Sequence, residues 1–122
     1  MERHKANLQF FRGDTQPFEL HFSTTDKVPL DITGNVLRIT IKKSVNDPDS
    51  AAVIKKRIVC PEDQNSQDGI GLIVLGSDET KLLEPGVYLY DIQHSIPGDP
   101  PLVSTAVGGM LNVIPDITQD DG

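Results

Sequence analysis

The sequence is poor in cysteine, aromatic residues and long apolar runs. Its 122 residues include one cysteine, two tyrosines, four phenylalanines and no tryptophan. Because Cys60 stands alone, the chain can form neither an internal disulfide nor a cysteine-based metal site, and this favours assembly in a reducing cytoplasm. No segment approaches the roughly 18 consecutive apolar residues of a membrane-spanning helix. Residues 1–5 are charged and lead into no apolar stretch, so we expect no signal peptide and no membrane partner.

Negative charge predominates, with a formal net charge of −7. An acidic surface repels phosphate backbones, so we expect no direct contact with nucleic acid. One basic cluster, Lys55-Lys56-Arg57 with Lys42-Lys43 nearby, is a possible phosphate-binding patch. We interpret it instead as the solvated face of adjacent strands.

Alternation of apolar and polar residues is the main structural signal, and it is the pattern of a half-buried β-strand. It occurs in residues 18–22, 37–41, 70–74 and 107–113. Residues 87–92 are apolar on both faces, which predicts a strand that is covered on both sides. Residues 7–11 and 51–59 are weaker strand candidates.

Only residues 77–83 look helical, because Ser77 or Asp78 can cap a single turn and Pro85-Gly86 ends it. About seven short strands separated by turn residues predict an all-β fold, an immunoglobulin-like antiparallel β-sandwich with at most one short helical turn. The length suits one domain. We predict an N-terminal arm over residues 1–9, the sandwich over residues 10–114 and an acidic C-terminal tail over residues 115–122.

Two acidic loops contain the oxygen-bearing side chains that calcium prefers. The candidate ligands are Asp63, Asn65, Gln67 and Asp68 in one loop and Asn46, Asp47 and Asp49 in the other. The first loop starts like an EF-hand, but Gly69 comes one position late and strand residues replace the closing glutamate. Because Asn and Asp are common in turns for backbone reasons, we predict no metal site.

Residues able to support catalysis are scattered along the chain. The histidines His4, His21 and His94 lie far apart without ligands at metal-site spacing, and Cys60 has no obvious base partner. Arg12-Gly13-Asp14 matches the tripeptide that integrins recognise, but Gly-Asp also suits a turn between strands. No nucleotide-binding loop or serine elbow occurs. We predict a protein that is not an enzyme and has no catalytic, cofactor-binding or metal-binding residues.

Three sequence blocks follow one another along the chain. They are Gly13-Asp14-Thr15, Leu30-Asp31-Ile32-Thr33-Gly34 and Pro85-Gly86-Val87-Tyr88-Leu89-Tyr90-Asp91. Their succession resembles that of small immunoglobulin-like structural proteins of tailed bacteriophages and prophages, related in pattern to the N-terminal domain of phage baseplate upper proteins. The resemblance covers residues 10–118. It implies a sandwich used as an adaptor or decoration in the virion, without catalytic residues.

The first functional hypothesis is therefore a virion protein that acts as a tail, baseplate or fibre adaptor. Its partners would be other phage structural proteins and further copies of itself in a symmetric assembly. An alternative is a capsid decoration protein or the base of a head fibre. A second alternative is a small carbohydrate- or calcium-binding sandwich whose site is formed by residues 46–50 and 64–69. A further hypothesis is an inhibitor or enzyme with an unfamiliar site, and it predicts a well-formed pocket with convergent polar groups.

Overall fold

The computed structural model describes residues 4–44, 46–48 and 51–115. These residues contain eight strands and two one-turn helices. In chain order the elements are β1 (His4–Lys5), β2 (Leu8–Phe11), β3 (Gln16–His21), β4 (Val36–Lys42), β5 (Ile54–Val59), α1 (Gln64–Gln67), β6 (Ile70–Leu75), α2 (Ser77–Thr80), β7 (Gly86–Ile96) and β8 (Leu102–Ile114). The strands form two sheets that enclose one hydrophobic core. The predicted all-β sandwich is thus confirmed.

The larger sheet contains β5, β4, β7 and β8 in that order, and β1 and β2 both pair with the outer edge of β8. The smaller sheet consists of β3 and β6. This division places β3 and β6 as strands B and E of the immunoglobulin fold, and β4, β7 and β8 as strands C, F and G. β1 and β2 run parallel to β8, so the larger sheet is mixed, whereas the sequence pattern predicted antiparallel strands alone.

The core is built by the inward residues of each alternating strand. On β4, Leu37, Ile39 and Ile41 are fully buried, whereas Arg38 between them is exposed. On β6, Ile73 and Leu75 are fully buried in the cluster that both sheets form, whereas Leu72 is 50% exposed. The alternation of Ile70, Leu72 and Val74 thus located this strand but predicted the wrong inward face, because residues 72–75 are all apolar. Burial of each such side chain stabilises the fold by about 1.5–3 kcal/mol, which explains why period-2 alternation located these strands.

The N-terminal segment lies along the edge of the larger sheet. Residues 4–9, which we predicted to belong to an arm, contain β1 and the first residues of β2. Between these strands, the Tyr90 hydroxyl donates to the carbonyl of Ala6 at 2.7 Å. Asn7 Oδ1 accepts the N–H of Met110 at 3.1 Å. These bonds tie the segment to both β7 and β8. The predicted C-terminal tail lies, apart from Pro115, outside the described residues.

Two helical turns occur where one at most was predicted. α2 lies within the predicted helical segment, residues 77–83. α1 forms because Asp63 caps it, accepting the N–H of Ser66 at 2.8 Å. The carbonyl of buried Ser66 in turn accepts the N–H of Ile32 at 2.9 Å, which joins α1 to the loop before β4.

A tyrosine corner closes the connection from β6 to β7. The hydroxyl of Tyr88, at the start of β7, donates to the carbonyl of Glu84 at 2.7 Å. A tyrosine at the start of strand F that bonds the backbone a few residues upstream is a hallmark of immunoglobulin-like sandwiches. Burial raises the pKa of Tyr88, and the charge of Glu84 adds to that effect.

His94 is buried at the end of β7 opposite the end of β3. Its ring lies 4.5 Å from that of Phe22, and its Nε2 lies 2.9 Å from Asn35 Nδ2. Because an amide nitrogen can only donate, Nε2 is the acceptor and the ring proton lies on Nδ1. Burial lowers the pKa of His94, so the folded protein prefers the neutral ring.

We expect His94 to make the fold less stable in acid. Below the ordinary histidine pKa of about 6.5, the unfolded chain binds a proton that the folded chain does not bind at His94. The free energy of unfolding therefore decreases as the pH is lowered. The expected slope is at most about 1.4 kcal/mol per pH unit. Urea midpoints from pH 5 to 8 measure it. His94→Gln should make the slope between pH 6 and 7 smaller and His21→Gln, at an exposed position, should retain it; equal slopes would refute the assignment.

Candidate interaction surfaces

The outward side of the larger sheet presents a basic surface. Four outward side chains of β4 and β5 form what we call the basic face: Arg38, Lys42, Lys55 and Arg57. Strand register places Arg38 directly opposite Arg57, and Thr40 opposite Lys55. Like charges directly opposite each other on neighbouring strands destabilise a sheet. Arg38 and Arg57 therefore repel each other across this strand pair.

A shallow depression of about 950 Å³ lies over the basic face and the neighbouring parts of β7 and β8. Leu89 and Met110, which register places opposite each other, give it an apolar side. Met110 is 48% exposed. Asp91 is the acidic residue of its lining, and it lies opposite Thr40 in the middle of the sheet. The depression thus combines cations with apolar contact area, a composition that suits a protein partner.

β7 is covered on one side only. The sequence predicted that residues 87–92 are covered on both sides, but Val87 is 57% exposed on the outward face. Phe11 and Val59 are exposed as well. The prediction was wrong for the single chain because the smaller sheet packs on the inner face alone. The uncovered apolar residues of β7 are Val87 and Leu89, since Asp91 and Gln93 take the next outward positions.

The basic triplet of β5 is split between the two sides of the sheet. Lys56 points inward, where its Nζ donates to the carbonyl of Val74 and lies 2.7 Å from Glu79 Oε1. The bond from Lys56 holds the pKa of Glu79 below its usual value, and the N–H of Gly76 adds to this. An inward cation at a strand edge hinders further strand pairing there. Lys56 is therefore structural, whereas Lys55 and Arg57 belong to the basic face.

The Arg12-Gly13-Asp14 tripeptide forms the turn between β2 and β3. The N–H of Asp14 donates to the carbonyl of Phe11 at 3.1 Å, and Gly13 has a φ of 90°. The buried hydroxyl of Thr80 accepts the N–H of Gly13 at 3.0 Å and donates to the carbonyl of Asp14 at 2.9 Å. Arg12 Nη2 donates to the carbonyl of Lys81 at 2.8 Å. The guanidinium thus has a local structural role in holding α2.

The first calcium candidate loop uses its carboxylates locally. Asp63 caps α1, and Asp68 Oδ1 accepts a bond from Gln64 Nε2 at 3.1 Å. In the other loop, Asn46 and Asp47 are described and Asp49 lies outside the described residues. Within residues 4–44, 46–48 and 51–115, no three His, Cys, Asp or Glu side chains are grouped to hold a metal ion.

The remaining candidates for chemistry are far apart in the fold. His21 is exposed on the smaller sheet with its Nε2 3.3 Å from Glu19, whereas His94 is buried. The side chain of His4 lies outside the described part of the structure. Cys60 is buried; burial raises the pKa of its thiol and the charge of Asp63 adds to this, which makes it a poor nucleophile.

Arg38 belongs to the basic face although the sequence alone did not indicate it. Arg38 lies on a different strand from Lys55 and Arg57, and only strand register brings the three together. The signal was present in the alternation of β4, which places Arg38, Thr40 and Lys42 on one side of the strand. Pairing that strand with residues 51–59 would have predicted the surface.

Comparison with solved structures identifies similar folds. One, described as the N-terminal domain of phage TP901-1 ORF48, matches with a TM-score of 0.52 and 10% sequence identity over 93% of this chain and 99% of that chain. Another comes from photo-crosslinking analyses of multimeric cell-adhesive interactions of VGSC beta subunits, with a TM-score of 0.42 and 12% identity over 90% and 92% of the two chains. No protein-family model and no curated protein matches the chain. No helix in its described part is long and apolar enough to span a membrane.

Proposed function

We propose that this chain is a structural module of a tailed-phage particle, where it acts as a tail, baseplate or fibre adaptor through protein–protein contacts and without catalysis. One observation carries the proposal, the likeness of the whole sandwich to the N-terminal domain of a phage protein. The shared fold takes up 99% of that domain and 93% of this chain.

The blocks that carry the sequence resemblance support the proposal because they build the scaffold. Gly13 and Asp14 form the turn that Thr80 holds. Tyr88, in the block that opens β7, makes the tyrosine corner. A pattern made of scaffold residues is what a shared structural module would retain, since a rigid sandwich repeats the same contacts at each position of a symmetric particle.

The outward face of the larger sheet supplies a surface for such contacts. Its exposed apolar side chains are Phe11, Val59, Val87, Val103 and Met110. They lie on four strands, β2, β5, β7 and β8. Exposed apolar side chains on a sheet face suit contacts with other proteins, and the exposure of Val87 is explained if the assembled particle covers it.

Immunogold labelling of particles from the genome that encodes this chain tests the proposal. An antibody against the purified chain is expected to label the tail or its tip in negatively stained particles. Labelling confined to the head would replace the adaptor with the alternative, a decoration or head-fibre base. Particles assembled after deletion of the gene are the control for antibody specificity. The absence of label from intact and from disrupted particles would refute the proposal.

A further inference from the structure

The loops at one end of the sandwich are strongly acidic. At this end β3, β5 and β7 finish and β4, β6 and β8 begin, as the pairing of Val36 with Val59 and with Ser95 shows for the larger sheet. The contact between the rings of Phe22 and His94 brings the end of β3 to the same place. The exposed carboxylates of these loops, which we call the acidic end, are Asp26, Asp31, Glu62, Asp63, Asp68 and Asp99.

The acidic end contains a single cation, Lys27, in residues 22–35, 60–69 and 97–101. Conversely, β4 and β5 contain no Asp or Glu at all. No described residue forms an ion pair with Arg38, Lys55 or Arg57. The described part of the chain therefore carries two separate surfaces of opposite charge.

We infer that the basic face binds the acidic end of a second copy of this chain, so that copies join head to tail. Complementary potentials on two surfaces favour and orient this encounter. The apolar side chains of Leu89 and Met110 beside the basic face add contact area that such a docked end would cover. The inference deepens the proposed function, since it names a partner for the adaptor, and it rests on that function only for its biological setting.

The same charges disfavour a two-fold dimer through the larger sheets. If two basic faces stacked on each other, Arg38 and Arg57 of one copy would meet the arginines of the other. Like charges placed together across an interface cost several kcal/mol. A contact between two different surfaces is heterologous, and repeating it closes a ring or extends a filament. The structure thus favours a ring or filament over a simple pair.

Charge reversal on each surface distinguishes the head-to-tail contact from other modes of association. One variant, Arg38→Glu with Arg57→Glu, makes the basic face acidic; a second, Asp26→Lys with Glu62→Lys, makes the acidic end basic. None of these four side chains has a described hydrogen bond or ion pair. The control, Asp78→Lys with Glu84→Lys, changes the net charge as much as the second variant does but lies at the opposite end of the sandwich.

Sedimentation velocity at low and high salt measures the association. The wild type should form oligomers at low salt that dissociate at high salt, because salt screens exposed charges. Each reversal should weaken association at least about tenfold, the control should leave it unchanged, and an equimolar mixture of the two reversed variants should associate again. Circular dichroism and cooperative unfolding establish that every variant is folded.

A wild type that stays monomeric at low salt, or oligomers that neither reversal weakens, would overturn the inference. A mixture of the two reversed variants that does not associate would also count against it. These outcomes are distinct from failure of the proposed function. A monomer that is nevertheless present in particles refutes the head-to-tail contact alone, whereas an oligomer that is absent from particles refutes the phage role alone.

Discussion

Replacement of Gly69 by alanine is expected to destabilise the sandwich by more than about 3 kcal/mol, among the largest effects of any single substitution. Gly69 has a φ of +77°, in the left-handed region that disfavours a β-carbon. A β-carbon there would lie 2.3 Å from the carbonyl oxygen of Phe22 and 2.8 Å from that of Leu30. Both obstacles are backbone atoms, so the strand end and the loop would have to separate.

Gly34→Ala is the matched control for Gly69→Ala. Gly34 has a φ of +81°, but nothing lies within 4 Å of the position its β-carbon would take. It should therefore lose about 1–2 kcal/mol, the cost of the backbone conformation alone. Urea unfolding of both variants measures the difference. If Gly69→Ala loses no more free energy of unfolding than Gly34→Ala, Gly69 does not lie as close to Phe22 and Leu30 as described.

Gly109→Ala is expected to release the N-terminal strand from the larger sheet. A β-carbon on Gly109 would lie 2.3 Å from the carbonyl oxygen of Ala6, which also accepts the Tyr90 hydroxyl bond. Moving Ala6 away breaks that bond and the one between Asn7 and Met110. It also loosens β2, whose Phe10 is buried in the core. We expect a loss of about 2–4 kcal/mol.

Gly108→Ala is the control in the adjacent position of β8. The nearest atom to its β-carbon would be the carbonyl oxygen of Tyr90 at 3.4 Å, which is near ordinary contact. Hydrogen exchange followed by mass spectrometry measures the outcome. In Gly109→Ala the amides of β2 should exchange on the order of a hundred times faster, whereas Gly108→Ala should protect them as the wild type does. Unchanged protection in Gly109→Ala would show that β1 and β2 tolerate the added methyl group.

Both glycine positions depend on contacts between segments that lie far apart in the sequence. Alternation located β3, β4 and β8 with the correct inward face, because a strand that buries one face must alternate. It also located β6 but predicted the wrong face, since Ile73 and Leu75 are buried and Leu72 is exposed. It could not reveal that β1 and β2 pair with β8, since the partners lie at opposite ends of the chain and leave no local pattern. Gly69 was visible as a turn glycine, but the backbone atoms that surround it come from β3 and from the loop before β4.

The candidate surfaces were less predictable than the fold. The triplet Lys55-Lys56-Arg57 looked like one basic cluster, yet its middle residue points inward to Val74 and Glu79. Strand alternation alone would have separated Lys56 from its neighbours, but only register adds Arg38 to them. The outward apolar residues Val87 and Leu89 predicted burial on both sides of β7 within the chain. In the proposed particle, the same signal predicts burial against another protein.

The sandwich combines a rigid scaffold with two charged surfaces. The scaffold of strands, the tyrosine corner and the Thr80 turn make a rigid body that presents surfaces in fixed positions. The basic face and the acidic end then determine which neighbour each surface accepts. A rigid body with two complementary surfaces is sufficient for repeated assembly, and it needs no catalytic group.

The composition of purified particles tests the central claim most directly. Particles from the genome that encodes this chain are purified by density gradient, washed in high salt and analysed by quantitative mass spectrometry. We expect the chain in more than one copy per particle. Its ratio to the major structural proteins should be constant between preparations. Fractionated tails should retain it. If washed particles lack the chain while the infected-cell lysate contains it, the chain is not a virion protein and the account is contradicted.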